Sequence, residues 1–251
     1  MPLHLATSIA DHEGELHDKL TQILPALLTR FDSFSAQVTQ ETDQKVVKLL
    51  GQYLAVMDQL PSKVDHIGMH RRRSVELALS SSGGQGTILY IDIDHLLRWF
   101  ELNVVELDQV LGFLPDYDCS VIGRGPISTA ALPARLRETE RWVNHTFMLA
   151  TGFPWDTLMA ARGLSVAAAT LIVTQSQVQT VGNDVDWPLL CIKHGLSMNY
   201  VEAEGLTYQT NRVYAADIDD DEDQDPGAWA MRIRLANQQV EAMQAYFPGA
   251  D

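Results

Sequence analysis

The chain has 251 residues, of which 46% are hydrophobic, so it can bury a sizeable core in one α/β domain or in two small ones. Eighteen basic against 33 acidic residues give a net charge of -15, which argues against a nucleic-acid backbone or an anionic membrane surface as the main partner. A phosphate ligand would need local compensation, for which a divalent cation is suited.

Strands and helices alternate through the first ~95 residues. Apolar runs predict strands at residues 3–10, 33–39, 63–67 and 87–93. Helical periodicity predicts one helix with apolar residues from Leu16 to Phe31, interrupted at Pro25, a second capped by Thr42 or Asp43, and a third at residues 69–80. We therefore expect right-handed βαβ units and an α/β, Rossmann-like fold with a mainly parallel sheet and helices on both faces.

The second half of the chain is less regular. It predicts strands at residues 119–123, 157–161 and 197–202, and helices at 133–149, 166–175 and 186–194. Ser165 is the expected N-cap of the 166–175 helix, and Gly195 the expected end of the 186–194 helix. We expect residues 1–213 to form the main domain, followed at 214–251 by an acidic loop and an amphipathic helix.

The acidic run at residues 217–225 lacks the glycine and the terminal glutamate of a calcium loop, which favours a solvated, mobile loop. Cys119 and Cys191 form no CxxC pair, so neither a disulfide framework nor a zinc site is indicated. No apolar stretch approaches the ~20 residues of a membrane-spanning helix, and the first residues lack a signal-peptide pattern. These features predict a soluble, cytoplasmic protein.

Two aspartates, Asp92 and Asp94, lie at the end of the apolar strand predicted at 87–93. Ionised carboxylates at such a place need compensation. Side chains two residues apart on a strand point the same way, so both carboxylates are expected to face one hard divalent cation, Mn2+ or Mg2+. The alternative is that Asp94 caps the following helix while Asp92 is hydrogen-bonded in a turn.

The order of these segments resembles the GT-A glycosyltransferases, especially the family 2-like group. A-T-S-I-A-D-H-E-G stands at their nucleotide-contacting turn, V-T-Q-E-T-D at their base-holding segment, and H-I-G-M-H-R-R-R-S at their glycine and basic segment. I-L-Y-I-D-I-D stands at the DxD motif, and G-N-D-V-D-W-P at the motif that carries the catalytic carboxylate. The resemblance runs in order over residues 3–205.

The resemblance implies a metal-dependent glycosyltransferase that moves a sugar from a nucleoside diphosphate donor to an undefined acceptor. It implies that Asp92 and Asp94 hold the metal, and that the donor is bound by Ser8, Asp11, Glu41, Arg73 and Asp92. The base is expected between the first two strand ends. Because successive helical residues face different directions, one arginine of residues 71–73 is expected to reach the site and two to be solvated.

Asp184 is the expected catalytic base, because an acceptor hydroxyl is a poor nucleophile until its proton is removed. Direct displacement by this route would invert the anomeric configuration. The alternative is that Asp184 or Asp186 simply caps the predicted 186–194 helix, whose dipole favours acids at its start. On the acceptor side we expect Arg124, Arg162, Asp186 and Trp187, with Trp187 either in the core or stacked on a sugar.

Asn183 stands where the family has the glutamate of its E-D pair, and no histidine follows His194 as a late metal ligand. A second hypothesis is therefore a nucleotide-sugar-binding or scaffold protein of the same fold without turnover. A nucleotidyltransferase is disfavoured, because no G-x-G-T-R loop follows the first strand. Nucleic acid is not an expected partner, and a homodimer stays open.

Overall fold

The computed structural model describes residues 1–54, 56–208 and 221–247. The strands are β1 Leu3–Ile9, β2 Ser33–Thr39, β3 Val56–Leu60, β4 Thr87–Tyr90, β5 Cys119–Arg124, β6 Ala161–Ser165 and β7 Met198–Ala203. Within the described residues they form one sheet in the order β3-β2-β1-β4-β6-β5-β7. Strand β6 is antiparallel to both neighbours, and the other pairs are parallel. The predicted α/β fold with a mainly parallel sheet is confirmed.

The α-helices of the described residues are α1 His17–Leu27, α2 Gln44–Leu50, α3 Ile67–Ser81, α4 Ile93–Phe113, α5 Pro126–Ala130, α6 Ala134–Thr151, α7 Val166–Gln175, α8 Asn183–Lys193 and α9 Pro226–Gln244. Helix α1 contains Pro25, and α4 is kinked at Asn103, whose φ of -153° and ψ of 71° are not helical. None of the helices in this part of the chain has the length and apolar content needed to cross a bilayer.

Side-chain caps fix the starts of two predicted helices. The Asp43 carboxylate accepts a hydrogen bond from the backbone N–H of Lys45 at the start of α2. The Ser165 hydroxyl accepts one from the backbone N–H of Ala168 at the start of α7. Both contacts satisfy N–H groups that have no partner inside the helix. Asp43 is therefore the cap of the second helix, and the Ser165 prediction is confirmed.

Alternate residues of the strands face two cores, because the side-chain period of a strand is two. On β1, Leu5 belongs to the core that contains α1 and α4 residues, whereas Ala6 belongs to the core that contains α3 and α7 residues. Helices therefore cover both faces of the sheet. A third, smaller core joins α6, α8 and α9 through Val143, Phe147, Val185, Leu189 and Met243.

Two predicted strands are wrong. Residues 63–67 form a 3-10 turn and the start of α3, and the strand of this region is β3. Strand β3 is half-buried along its whole length at the sheet edge, so it lacks the alternation that marks a strand in sequence. The strand predicted at 157–161 is displaced to β6, which follows Ala160 with a left-handed φ of 50°.

Part of the acidic run binds α6. Residues 217–220 lie outside the described residues, but the Asp223 carboxylate accepts hydrogen bonds from the backbone N–H groups of Ala134 (2.6 Å) and Arg135 (3.1 Å). An acidic side chain at a helix N-terminus is stabilised by the helix dipole. The prediction of a solvated loop is therefore wrong for this part. Helix α9, which follows, packs on α6 and α8; the division at residue 213 stays a prediction.

Candidate functional site

A cluster of buried charges lies at the carboxyl ends of β1 and β4, where α8 begins. Strand β1 contributes Ser8, the turn after β4 contributes Asp92, α3 contributes Arg71, and the first turn of α8 contributes Asp184. The Arg71 guanidinium joins the two carboxylates, donating from Nη2 to Asp92 Oδ2 (2.6 Å) and from Nη1 to Asp184 Oδ1 (2.7 Å). The carboxyl ends of parallel strands are the usual place for a ligand in such a sheet.

Asp92 is held in its ionised form by three donors. Its Oδ1 accepts hydrogen bonds from the Tyr90 hydroxyl (2.5 Å) and the Ser8 hydroxyl (3.0 Å), and its Oδ2 accepts from Arg71. Burial acts to raise the pKa of Asp92, but Arg71, His95 and the hydrogen bonds outweigh it and lower that pKa. Asp92 is therefore a fixed negative charge at the end of β4.

Asp184 has a different electrostatic environment. Its side chain is 2% exposed, and its Oδ2 accepts a hydrogen bond of 3.0 Å from the Gln239 amide of α9. Burial raises the pKa of Asp184 to about 6, although Arg71 and Arg162 act to lower it. The two carboxylates on one guanidinium therefore differ in pKa, which is a pattern found where an acid or base is needed.

Arg71, and not Arg73, reaches this cluster. Arg73 donates to Asp58 Oδ2 (2.7 Å) and Glu76 Oε2 (2.7 Å) near the β3 edge, and Arg72 donates to the Val178 carbonyl. Successive helical residues point about 100° apart, so only one of the three can face the strand ends. Arg73 therefore lies outside this cluster, and its role in donor binding stays a prediction. The expectation that the other two arginines are solvated fails, since both are partly buried and paired.

The two aspartates of the DxD motif do not share a strand face. Strand β4 ends at Tyr90, Asp92 is the N-cap residue of α4, and Asp94 lies in the first helical turn. The strand prediction of residues 87–93 is too long, because the helix begins at Ile93. Among the described residues no group of three His, Cys, Asp or Glu side chains could hold a metal ion by itself.

Two of the residues predicted to bind the nucleotide, Asp11 and Glu41, lie in the turns after β1 and β2. The Asp11 carboxylate accepts hydrogen bonds from the backbone N–H groups of Glu15 and Leu16, both at 2.9 Å. The Glu41 carboxylate accepts one from the backbone N–H of Ser62 (2.9 Å), which lowers the pKa of Glu41. These carboxylates hold the turns after β1, β2 and β3 in place.

All four residues predicted for the acceptor side are buried. Arg162 is 1% exposed and donates to the carbonyls of Thr157 (2.5 Å), Ala161 (2.7 Å) and Asp184 (2.7 Å). Asp186 accepts from the hydroxyls of Ser176 (2.6 Å) and Tyr246 (2.7 Å). Trp187 is 1% exposed and packs edge-on against Tyr90, with ring centroids 5.5 Å apart. Of the two alternatives for Trp187, a core position or stacking on a sugar, the structure shows the core position.

The fourth acceptor-side residue, Arg124, lines a cleft of about 460 Å3 at the carboxyl ends of β5 and β7. Its guanidinium donates to Asp156 (2.7 and 3.0 Å) and to Glu140, and although burial acts in the opposite direction, Arg124 lowers the pKa of Asp156 to about 2. Trp155 stacks between Phe153 and Tyr200, with centroids at 4.4 and 5.6 Å. The cleft also exposes Arg137, Asn144, His145 and Glu202.

Sequence reasoning missed two partners of the cluster. In sequence Tyr90 looks like one more residue of an apolar strand. It lies two residues before Asp92, however, and therefore on the same side of the extended chain. Gln239 carries no local signal, because its contact with Asp184 arises only when α9 packs on α8.

The strand order, with one antiparallel strand inserted into a parallel sheet and charged groups at the carboxyl ends, is that of the GT-A glycosyltransferase fold. No family model and no curated protein sequence matches the chain. Several solved structures match the chain in their fold.

A crystal structure of glucosyl-3-phosphoglycerate synthase from Mycobacterium tuberculosis matches with a TM-score of 0.59 and 13% identity, over 98% of this chain and 81% of that one. The same enzyme with Mn2+, uridine diphosphate and glucosyl-3-phosphoglycerate matches with a TM-score of 0.58, 13% identity and the same coverage. A further mycobacterial protein matches with a TM-score of 0.60 and 12% identity, over 99% of this chain and 76% of that one. At such identities the likeness establishes the fold.

Proposed function

We propose that the protein is a glycosyltransferase that moves a sugar from a nucleoside diphosphate donor to an acceptor. The observation that carries the proposal is the buried cluster of Asp92, Arg71 and Asp184 at the carboxyl ends of β1 and β4. Burying three charged groups is costly and stabilises a fold weakly. A cluster of this kind at the ligand-binding edge of a GT-A sheet is therefore best explained by function.

The proposed donor is a uridine diphosphate sugar. Support comes from the solved structures of the same fold, one of which holds Mn2+, uridine diphosphate glucose and phosphoglyceric acid. In this chain the base would lie in the crevice between the ends of β1 and β2, framed by Ser8, Asp11 and Glu41. Arg71 and Asp92 would lie beneath the diphosphate.

The residues present fit a divalent cation, Mn2+ or Mg2+, provided that the donor supplies most of the ligands. Asp92 and Asp94 offer hard carboxylate oxygens, and Oδ2 of Asp92 accepts a single hydrogen bond among the described residues, so it keeps a free lone pair. Mg2+ is commonly held by one or two carboxylates together with substrate phosphates and water. When bound, such an ion would neutralise the departing diphosphate.

Asp184 is proposed as the base that takes the proton of the acceptor hydroxyl. Its pKa of about 6 leaves it mostly ionised at neutral pH while keeping it basic enough to accept a proton. Arg71 and Gln239 fix the orientation of the carboxylate. Attack from this side in a single displacement inverts the anomeric configuration.

The acceptor would enter from the cleft lined by Arg124 and Trp155. Arg162 connects the two places, because its guanidinium donates both to the carbonyl of Thr157, the residue after Asp156 of the cleft, and to the Asp184 carbonyl. Asp186 and Trp187 would support the acceptor side from beneath rather than contact the substrate, since both are buried.

A second candidate is a nucleotide-sugar-binding protein without turnover. The observation that favours it is that both carboxylate oxygens of Asp184 are already engaged, one by Arg71 and one by Gln239. Asn183 also occupies the position of the family's glutamate. Binding experiments and turnover experiments separate the two candidates.

The proposal is tested first by binding. Uridine diphosphate at about 100-fold excess over Kd, with Mn2+, should raise the melting temperature by about 5–10 °C, and EDTA should abolish most of that shift. Asp92→Asn should weaken binding by about tenfold or more, whereas Asp18→Asn, on the exposed side of α1, should bind like wild type. If neither uridine, guanosine nor adenosine diphosphate binds, the proposed function is wrong.

The chemistry is tested by Asp184→Asn. This variant should lose transfer by at least about a hundredfold while keeping donor affinity within about twofold, because it removes the base and not the donor contacts. NMR of the transferred sugar should show inverted configuration. A wild-type protein that binds the donor and neither transfers nor hydrolyses it would instead establish the second candidate.

A further inference from the structure

Arg162 of β6 is a buried cation without an ion pair. The buried arginines of the described residues are Arg71, Arg124, Arg135 and Arg162, and the first three each form a salt bridge with a carboxylate. Arg162 has no such partner in this part of the chain, and its guanidinium donates only to backbone carbonyls. Burial lowers the pKa of Arg162, but a guanidinium in a protein stays charged. Burying an unpaired charge is costly, so Arg162 calls for a functional explanation.

The three carbonyls that Arg162 binds belong to two separate parts of the candidate site. Thr157 (2.5 Å) and Ala161 (2.7 Å) lie in the segment that leads from the cleft residue Asp156 into β6. Asp184 (2.7 Å) lies in the first turn of α8. A guanidinium is planar and presents its donors in a fixed geometry. Arg162 therefore holds the start of α8 at a fixed distance from the cleft.

The same guanidinium acts on the Asp184 carboxylate without binding it. Arg71 of α3 and Arg162 of β6 both act to lower the pKa of Asp184, and Asp92 after β4 acts to raise it. Arg71 and Gln239 of α9 each donate a hydrogen bond to the carboxylate and so occupy a lone pair. Arg162 contributes charge but occupies no lone pair. It thus favours the ionised form while leaving the carboxylate able to accept a proton.

We propose that Arg162 is a positioning residue of the transfer reaction: its charge keeps Asp184 ionised, and its hydrogen bonds hold Asp184 beside the acceptor cleft. The inference rests on the proposed function and gives Arg162 a place behind the base, out of contact with the acceptor. Burial is what makes a single charge effective here, because buried charges are screened by solvent and salt much less than exposed ones.

The test is the pH titration of the Asp184 carboxyl carbon by NMR of isotope-labelled protein, with Asp184→Asn identifying the signal. Arg162→Gln removes the charge but keeps a donor for one carbonyl, and it should raise the pKa of Asp184 from about 6 by about 1 or more. Arg162→Met is a second neutral variant, without any donor, and should raise this pKa by a similar amount. Arg162→Lys keeps a positive charge and should hold the pKa near that of wild type.

Transfer should show the same effect. A base with a raised pKa stays protonated at higher pH, so the loss of kcat/KM in Arg162→Gln, relative to wild type, should be about fivefold larger at pH 6 than at pH 8. Uridine diphosphate with Mn2+ should bind the variant within about twofold of wild type, because the change lies on the acceptor side. This binding also shows that the variant is folded.

Arg72→Met is the matched control, because Arg72 is a partly buried arginine that also donates to a backbone carbonyl, that of Val178. It should leave the pKa of Asp184 unchanged. An unchanged pKa in both neutral variants of Arg162 would overturn the inference. An equal rise in Arg162→Lys and Arg162→Gln would also overturn it, because the effect would not come from the charge. The titration needs no turnover, so it is decided separately from the proposed function, which an absence of transfer by wild type would contradict.

Discussion

Arg71 is the residue on which the electrostatics of the candidate site depend. Its guanidinium lies between Asp92 and Asp184, and although burial acts to lower it, the pKa of Arg71 is raised by these two carboxylates. The attraction is mutual, since Arg71 acts to lower the pKa of both aspartates. Without it, two buried carboxylates would lie next to each other uncompensated.

Replacing Arg71 by Met should therefore destabilise the protein by about 3–5 kcal/mol, the usual cost of breaking a buried ion pair. The loss should be larger at pH 8 than at pH 5. Without Arg71 the folded-state pKa of Asp92 rises, and that of Asp184, already about 6 with Arg71 present, rises further above its unfolded value. The folded variant therefore binds more protons and loses more stability than wild type as the pH rises. Urea denaturation at both pH values measures this.

Arg73→Met is the matched control, because Arg73 also has two carboxylate partners but is about a third exposed. Exposed pairs contribute at most about 1 kcal/mol, so this variant should unfold near the wild-type midpoint at both pH values. A pH-independent loss in Arg71→Met would contradict the proposed coupling with the aspartates.

At this scale the sequence predicted Asp92 and Asp184 but not the arginine between them. The acids follow an apolar strand and begin a helix, and such positions are visible in a linear pattern. Choosing among residues 71–73 requires the rotation of α3 about its axis, which adjacent residues of one type do not reveal.

Helix α9 packs on α8 beside Asp184 of the candidate site. Gln239, inside the helix, bonds to Asp184 of α8, and Tyr246, two residues after the helix ends, bonds to Asp186 of α8. The close approach depends on Gly182, where a Cβ atom would lie 2.8 Å from the Cβ of Ala242. Met243 anchors the helix in the third core beside Phe147. Helix α9 is thus held by packing and by the same acids that the site uses.

Met243→Ala should cost about 2–5 kcal/mol, because it leaves a cavity in a well-packed core. Met231→Ala, on the same helix, should change stability by no more than about 0.5 kcal/mol. The two methionines differ in exposure, 0% for Met243 against 56% for Met231. Chemical denaturation of both variants measures the difference, and similar losses in the two would show that α9 is not anchored through this core.

The element pattern was predictable wherever polar and apolar residues alternated in sequence or helices were capped. β2 was predicted with the bounds that the structure shows, Ser33–Thr39, because it is a buried central strand bounded by polar residues. β3 was missed because its Met57 fits the apolar face of the preceding helix as well as it fits a strand. The extent of β4 was overestimated, since Ile91 and Ile93 continue the apolar run while the backbone already turns into α4.

At the scale of the whole molecule, the net charge of -15 opposes the approach of a diphosphate. The buried cluster does little to offset this negative charge, because its one arginine, Arg71, is paired with two carboxylates. Long-range repulsion between exposed charges is screened by salt, whereas buried pairs are screened much less. The net charge of the protein and the charge of the proposed diphosphate ligand are therefore both negative.

Metal-free binding of uridine diphosphate should consequently strengthen with ionic strength. Between 20 and 200 mM NaCl in EDTA, we expect the affinity to rise by roughly two- to fivefold. With Mn2+ the dependence should be much weaker, because the metal complex of the nucleotide carries less charge. Calorimetric titrations at three salt concentrations measure both series. Affinity that falls with salt in EDTA would mean that a local positive field dominates.

The contacts of the cluster join distant parts of the chain. The Ser8 to Asp92 bond spans 84 positions, the Arg71 to Asp184 bond 113, and the Asp184 to Gln239 bond 55. Closing long loops costs entropy before any contact repays it. During folding, hydrogen bonding within the helices and the neighbouring β1–β2 pair can therefore form before the two carboxylates and their arginine meet. A chain that has recovered its secondary structure is still without this site, which is assembled only as the last long-range contacts form.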